Sequence, residues 1–111
     1  MLDGVLKLLA HMADNTAMYV HPVGVATVQG YLHGLEAGCR LGGLAVSREV
    51  YTATAAARGW EFQATGIVWH MRERGLDDAA VIRELIAVQD EAFRLAAVQT
   101  PNQALQPTAG A

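Results

Sequence analysis

The chain has one cysteine, Cys39, and one serine, Ser47, among its 111 residues. A single thiol excludes an intramolecular disulfide, would need a second chain to complete a thiolate zinc site, and fits a reducing cytoplasm. Serine hydrolysis would fall to Ser47, but no Gly-x-Ser-x-Gly elbow surrounds it and no histidine and acid assemble beside it. Charge is sparse as well. Eight Lys and Arg against eleven Asp and Glu leave a net charge of −3, and the nearest approach to a basic cluster, Arg72, Arg74 and Arg83, is interrupted by Glu73, Asp77, Asp78 and Glu84. Without a surface to neutralise phosphates, no nucleic-acid partner is expected.

Long apolar runs are missing too. Asp3 and Lys7 interrupt Leu2–Ala13, and no clear basic region precedes a cleavable stretch, so no signal peptide is read. The segment from Ala17 to Leu35 contains His21, Pro22, Gln29 and His33, which argues against a membrane span. Gly30, Gly34 and Gly38 lie four apart with no Lys-Ser/Thr pair after them, so they are not a phosphate-cradling loop.

What the chain does have is apolar side chains, 52% of its residues, arranged with helical periodicity. A short N-terminal helix is expected over 4–13, with Asp3 as its cap and Val5, Leu6, Leu9, Met12 and Ala13 on one stripe. Met18, Tyr19 and Val20 read as an extended link. Pro22 suits a first helical position, and Val25, Val28, Leu32, Leu35 and Cys39 carry that helix to about Arg40, with Gly42 and Gly43 ending it. Ser47 is read as the cap of a third helix to Arg58, with Val50, Tyr51, Thr54 and Ala57 inward; a strand over 44–52 is the alternative, given Val46, Val50, Tyr51 and Thr52.

A fourth helix is read from Trp60 to Arg74 on the period of Trp60, Ala64, Ile67, Val68 and Met71. The last starts at an Asp77 cap, with Leu76 and Val81 as a hydrophobic staple, and turns Ile82, Leu85, Ile86, Gln89, Phe93 and Ala96 inward. The expectation is an all-α fold, a small bundle of four main helices plus the short N-terminal one, over residues 1–99. After Gln99 the apolar pattern gives way to Pro, Gln and Thr, and residues 100–111 are read as a disordered tail.

Two resemblances follow from particular residues. Asn102-Gln103-Ala104-Leu105-Gln106-Pro107-Thr108 resembles translated recombination-site DNA at the end of an integron mobile gene cassette, which implies a genetic context and no activity. Met18-Tyr19-Val20, followed by a helix with Gly30-Tyr31-Leu32-His33-Gly34, resembles small helical bacterial proteins with a Met-Tyr-Ile/Leu-Gly turn and a downstream Gly-Tyr helix, some of them found in toxin-immunity or cassette contexts. Here His21 stands at that pattern's glycine and Pro22 follows.

Candidate chemistry is thin. Cys39, on the inward stripe of its helix, reads as a buried small hydrophobe rather than a nucleophile. His33 with Glu36 and His70 with Glu73 repeat a His-x-x-Glu spacing, the reverse of the Glu-x-x-His motif of bundle metal sites, so no metal, cofactor or catalytic set is assigned. If a ligand pocket exists, Tyr31, Tyr51, Trp60, Trp69 and His70 are its expected wall, since each joins apolar area to a polar atom. The sharper signal is Ala26, Gly30, Gly34 and Gly38, four apart along one helix. Three interior glycines cost roughly 2–3 kcal/mol of helix stability relative to alanine, and a smooth face lets a second backbone approach closely. An internal helix or the same helix of a second copy could fill that role, and the second is preferred. The sequence therefore ranks a homodimeric interaction or adaptor protein first, a small-molecule binding module second, and a metal-dependent enzyme third.

Overall fold

In the computed structural model, which describes residues 1–61 and 66–110, the elements are all helical. Helix α1 spans Leu2–Asp14, a 3-10 turn covers Thr16–Met18, α2 is Val25–Leu41, α3 is Arg48–Ala57, α4 is Val68–Glu73 and α5 is Asp78–Gly110. The all-α bundle is thus present, with one short and four longer helices.

The last helix organises the molecule. α1, α2, α3 and α4 each pack against α5, and among the described residues no two of these four pack closely with one another. The reason lies in α5's composition: Val81, Ile82, Leu85, Ile86, Val88, Gln89, Ala92, Phe93 and Ala96 are all buried, a band wider than a single stripe. The six residues read as its inward face are all among them. Helix α1 contributes Val5, Leu9 and Met12, α2 contributes Val28, Leu32 and Cys39, and α3 contributes Val50, Thr54 and Ala55.

The helix ends follow local chemistry. Ser47 Oγ accepts the Val50 N–H at 3.1 Å, a side-chain cap on α3 that rules out the strand alternative for residues 48–52. Asp77 Oδ1 accepts the Ala80 N–H at 2.9 Å in the same manner. At the end of α2 the Leu44 N–H reaches back to the Cys39 carbonyl and the Gly43 N–H to that of Arg40, with Gly43 at φ +99° and Leu44 buried beneath. That is a Schellman closure, and its left-handed residue favours glycine.

Several expectations are corrected. Helix α1 begins at Leu2, so Asp3 lies in its first turn instead of capping it, and Ala13 is exposed. The link after it is a 3-10 turn, not extended chain, and leaves Met18 74% exposed. Pro22, joined to His21 by a cis peptide bond, precedes α2; the helix starts at Val25, where Thr27 Oγ1 accepts the Gly24 N–H at 3.1 Å and donates to the Pro22 carbonyl at 2.6 Å. On α3 Ala55 is buried while Ala57 is exposed. Among the described residues of 60–74, the helix covers Val68–Glu73. Gly66 adopts φ +91°, outside the right-handed helical region, and so interrupts the path between Trp60 and Val68; Ala64, part of that stripe, lies outside the described residues. The α5 helix spans Asp78–Gly110.

Two outcomes are expected. Phe93, fully buried on α5, should lose about 3–5 kcal/mol of stability on replacement by alanine, whereas Val98→Ala, at a 69% exposed position, should stay within about 0.5 kcal/mol; urea unfolding measures both. A chain ending at Gln99 should keep the thermal midpoint of the full chain, because the segment beyond it lacks an apolar stripe. A large drop would place residues 100–110 among the elements that support the core.

Candidate functional site

The five aromatic and imidazole residues expected to line one pocket are divided among three places. Tyr31 packs edge-on against Tyr19 with ring centroids 5.7 Å apart, and the Tyr19 hydroxyl is 2.7 Å from His11 Nδ1. Trp60, Trp69 and His70 form a second group: His70 stacks on Trp69 at 5.2 Å and meets Trp60 edge-on at 5.7 Å, while its Nδ1 accepts the Glu61 N–H at 2.8 Å. Trp69 Nε1 is buried and has no hydrogen-bond partner among the described residues. Tyr51 alone of the five lines a groove between α2, α3 and α5. The five are thus not brought together: Tyr31 lies on α2, Tyr51 on α3, Trp60 after the end of α3, and Trp69 and His70 on α4.

Trp60 belongs instead to a polar cluster that ties α3 to α5. Arg58 donates from Nε and Nη2 to the two oxygens of Glu84 at 3.0 and 2.8 Å, and from Nη1 to Glu91 at 2.8 Å. Trp60 Nε1 adds a hydrogen bond to Glu84 Oε1 at 2.8 Å. The Arg58 and Glu84 side chains keep 29% and 23% of their exposure, so this two-pronged pair is partly shielded from water. Hydrogen bonding from Arg58, and secondarily from Trp60, holds the Glu84 carboxyl below the usual glutamate range against the opposing effect of burial.

The groove lined by Tyr51 has a volume of about 410 Å³ between α2, α3 and α5. Its apolar base is Val46, Ile67 and Leu85, and Gln29, His33, Glu36, Arg40, Ser47, Arg48 and Tyr51 supply polar walls. Glu36 is anchored from below, its Oε2 accepting from Gln89 Nε2 at 3.1 Å, and Gln89 is only 2% exposed. Burial, with a smaller effect from the Glu36 charge, pushes the Tyr51 hydroxyl up to about 12, so it is a neutral group at physiological pH. No periodicity argument singles out Glu36 and Gln89, because they lie on different helices 53 residues apart.

The small-residue face is present and open. Ala26, Gly30, Gly34 and Gly38 are all exposed, on the side of α2 away from Val28, Leu32 and Cys39. Among the described residues, a methyl group added to any of the three glycines would meet no side chain or neighbouring element within 4 Å. The internal-helix alternative for these glycines therefore has no support within the described chain. Leu41, at the end of the same face, is 92% exposed.

Cys39 is 6% exposed, and burial, followed by the Glu36 charge, raises its thiol above the ordinary value, which fits the packing role read for it. His33 and Glu36 line the groove while His70 is bonded at Glu61, so the two His-x-x-Glu pairs are used separately; no group of three or more metal-ligating side chains occurs among the described residues. No helix there is long and apolar enough to cross a membrane. Comparison of the chain with protein-family models, curated proteins and solved structures finds no match.

The Arg58 cluster yields a pH-dependent expectation. Because the folded carboxyl of Glu84 sits below its unfolded value, its contribution is present above the ordinary glutamate range and is lost as pH falls through the folded value. Arg58→Met should cost about 1–3 kcal/mol at neutral pH and flatten the acid side of the stability profile. Urea unfolding across that pH range checks both; an unchanged profile would reduce the cluster to surface decoration.

Proposed function

We propose that the protein is a cytoplasmic homodimeric interaction protein whose self-association surface is the outer face of α2. The observation that carries this reading is the open run Gly30, Gly34 and Gly38: each glycine lowers helix stability by about 0.5–1 kcal/mol relative to alanine, and a methyl group at each position would be sterically free within the described chain. A cost with no internal return is explained when the return comes from a second chain. A two-fold pairing of the same face brings two backbones together and covers the exposed Leu41 side chain. A small domain gains proportionately from such added burial.

An antiparallel crossing near Gly34 suits the charges of this helix. It places the Arg40 residues of the two chains on opposite sides of the crossing point, whereas a parallel crossing would set like charges side by side. The cassette-like tail adds a genetic setting to this reading and no chemistry. A second reading, a small-molecule binding module, is favoured by the groove anchored at Glu36.

Sedimentation of the wild-type protein should give twice the 11.8 kDa chain mass. Gly34→Leu should sediment as a single chain with helical circular dichroism and a monomer stability equal to or above wild type, because the leucine meets nothing in its own chain. A folded Gly34→Leu protein of unchanged mass would remove this face as the contact.

A further inference from the structure

The pair Glu36 and Gln89 is costly to explain as packing alone. Gln89 sits in the core at 2% exposure, where a leucine of similar volume would need no partner, while Glu36 is only half-buried. What the pair achieves is geometric. The buried amide donates to Glu36 Oε2 at 3.1 Å and so holds a carboxylate at the wall of the groove between α2, α3 and α5.

Opposite charge lies beside it. Arg40, one helical turn further along α2, lines the same groove, while Arg48, the first residue of α3, lines it with a partner of its own. Beneath them Val46, Ile67 and Leu85 are 3%, 1% and 3% exposed, an apolar base for a short hydrocarbon group. A volume of about 410 Å³ falls at the small end of the range for ligand pockets, roughly 300–1,000 Å³. A simple anion would meet the Glu36 carboxylate, and a simple cation would meet the Arg40 guanidinium. One class of molecule satisfies both signs at once.

We infer that this groove binds a small ammonium–carboxylate compound with an apolar side group, of the amino-acid type, its ammonium on Glu36, its carboxylate toward Arg40, and its side group over Val46, Ile67 and Leu85. Gln89 is a positioning residue for Glu36. The inference stands apart from the dimer: the groove is built within one chain, and its fate is read by a different measurement.

The test is a titration of the isotopically labelled full chain with leucine at millimolar concentrations, followed by amide chemical shifts. 4-Methylpentanoate, which lacks the ammonium, and 3-methylbutylamine, which lacks the carboxylate, serve as half-ligands. Leucine should shift the amides of Glu36, Arg40, Tyr51 and Leu85, and each half-ligand should bind at least about tenfold more weakly, as expected for loss of a charge-assisted hydrogen bond. Glu36→Gln and Arg40→Gln should each weaken leucine by at least about tenfold with unchanged circular dichroism; both positions are at the surface side of α2, and Gln89→Leu provides a further variant that weakens binding by freeing Glu36. Absence of groove shifts with leucine and phenylalanine alike, equal binding of either half-ligand, or undiminished affinity in the folded Glu36 and Arg40 variants would overturn the inference.

Discussion

Burial of one helix by all the others is the constraint on which this structure depends. Phe93, Val81, Val88 and Ala92 are fully enclosed because four other helices lie against α5 and, among the described residues, not against each other. The apolar stripes of α1 and α2 have no alternative surface of comparable area among the described residues. A bundle in which neighbours interlock can lose one interface and keep a core; here each interface among the described residues has α5 as one of its two sides.

Polar tethers follow the same geometry. Arg58 joins α3 to α5 through Glu84 and Glu91, and Glu36 joins α2 to α5 through Gln89. Each tether fixes the rotation of a helix on α5 in a way that non-directional apolar burial cannot. They differ in surroundings. Arg58 and Glu84 satisfy each other, with Trp60 completing the set, whereas Glu36 keeps one oxygen outside its bond to Gln89 and faces a groove with cationic walls. That difference separates a structural cluster from a candidate binding site.

Much of this was legible from local pattern. The stripe Ile82, Leu85, Ile86, Gln89, Phe93 and Ala96, the Ser47 and Asp77 caps and the glycine stop after α2 are all short-range statements, and each corresponds to what its own few neighbours do. The fourth helix was over-extended because periodicity alone cannot register that Gly66 adopts a left-handed conformation. The aromatic pocket failed for a different reason. Tyr31, Tyr51 and Trp60 belong to separate elements, and which of them converge depends on the directions from which those elements approach α5. Pairs such as Arg58 with Glu84 and Glu36 with Gln89, 26 and 53 residues apart, leave no trace in a window of the sequence. The open glycine face sits between these cases: its spacing was visible, while its orientation away from the core was settled only by the packing of Val28, Leu32 and Cys39.

The place of α5 in chain order has a consequence for how the molecule comes into being. Synthesis proceeds from the N-terminus, so α1 to α4 are complete before the helix that buries them. Contacts between Leu9 or Met12 and the α5 band close loops spanning most of the domain, and loop-closure entropy must be met before those contacts contribute. Until residues near Phe93 and Ala96 have emerged, the nascent chain carries amphipathic helices with no common partner. Folding of this domain therefore waits for its α5 helix, with the apolar stripes of the earlier helices open to other chains until that helix emerges.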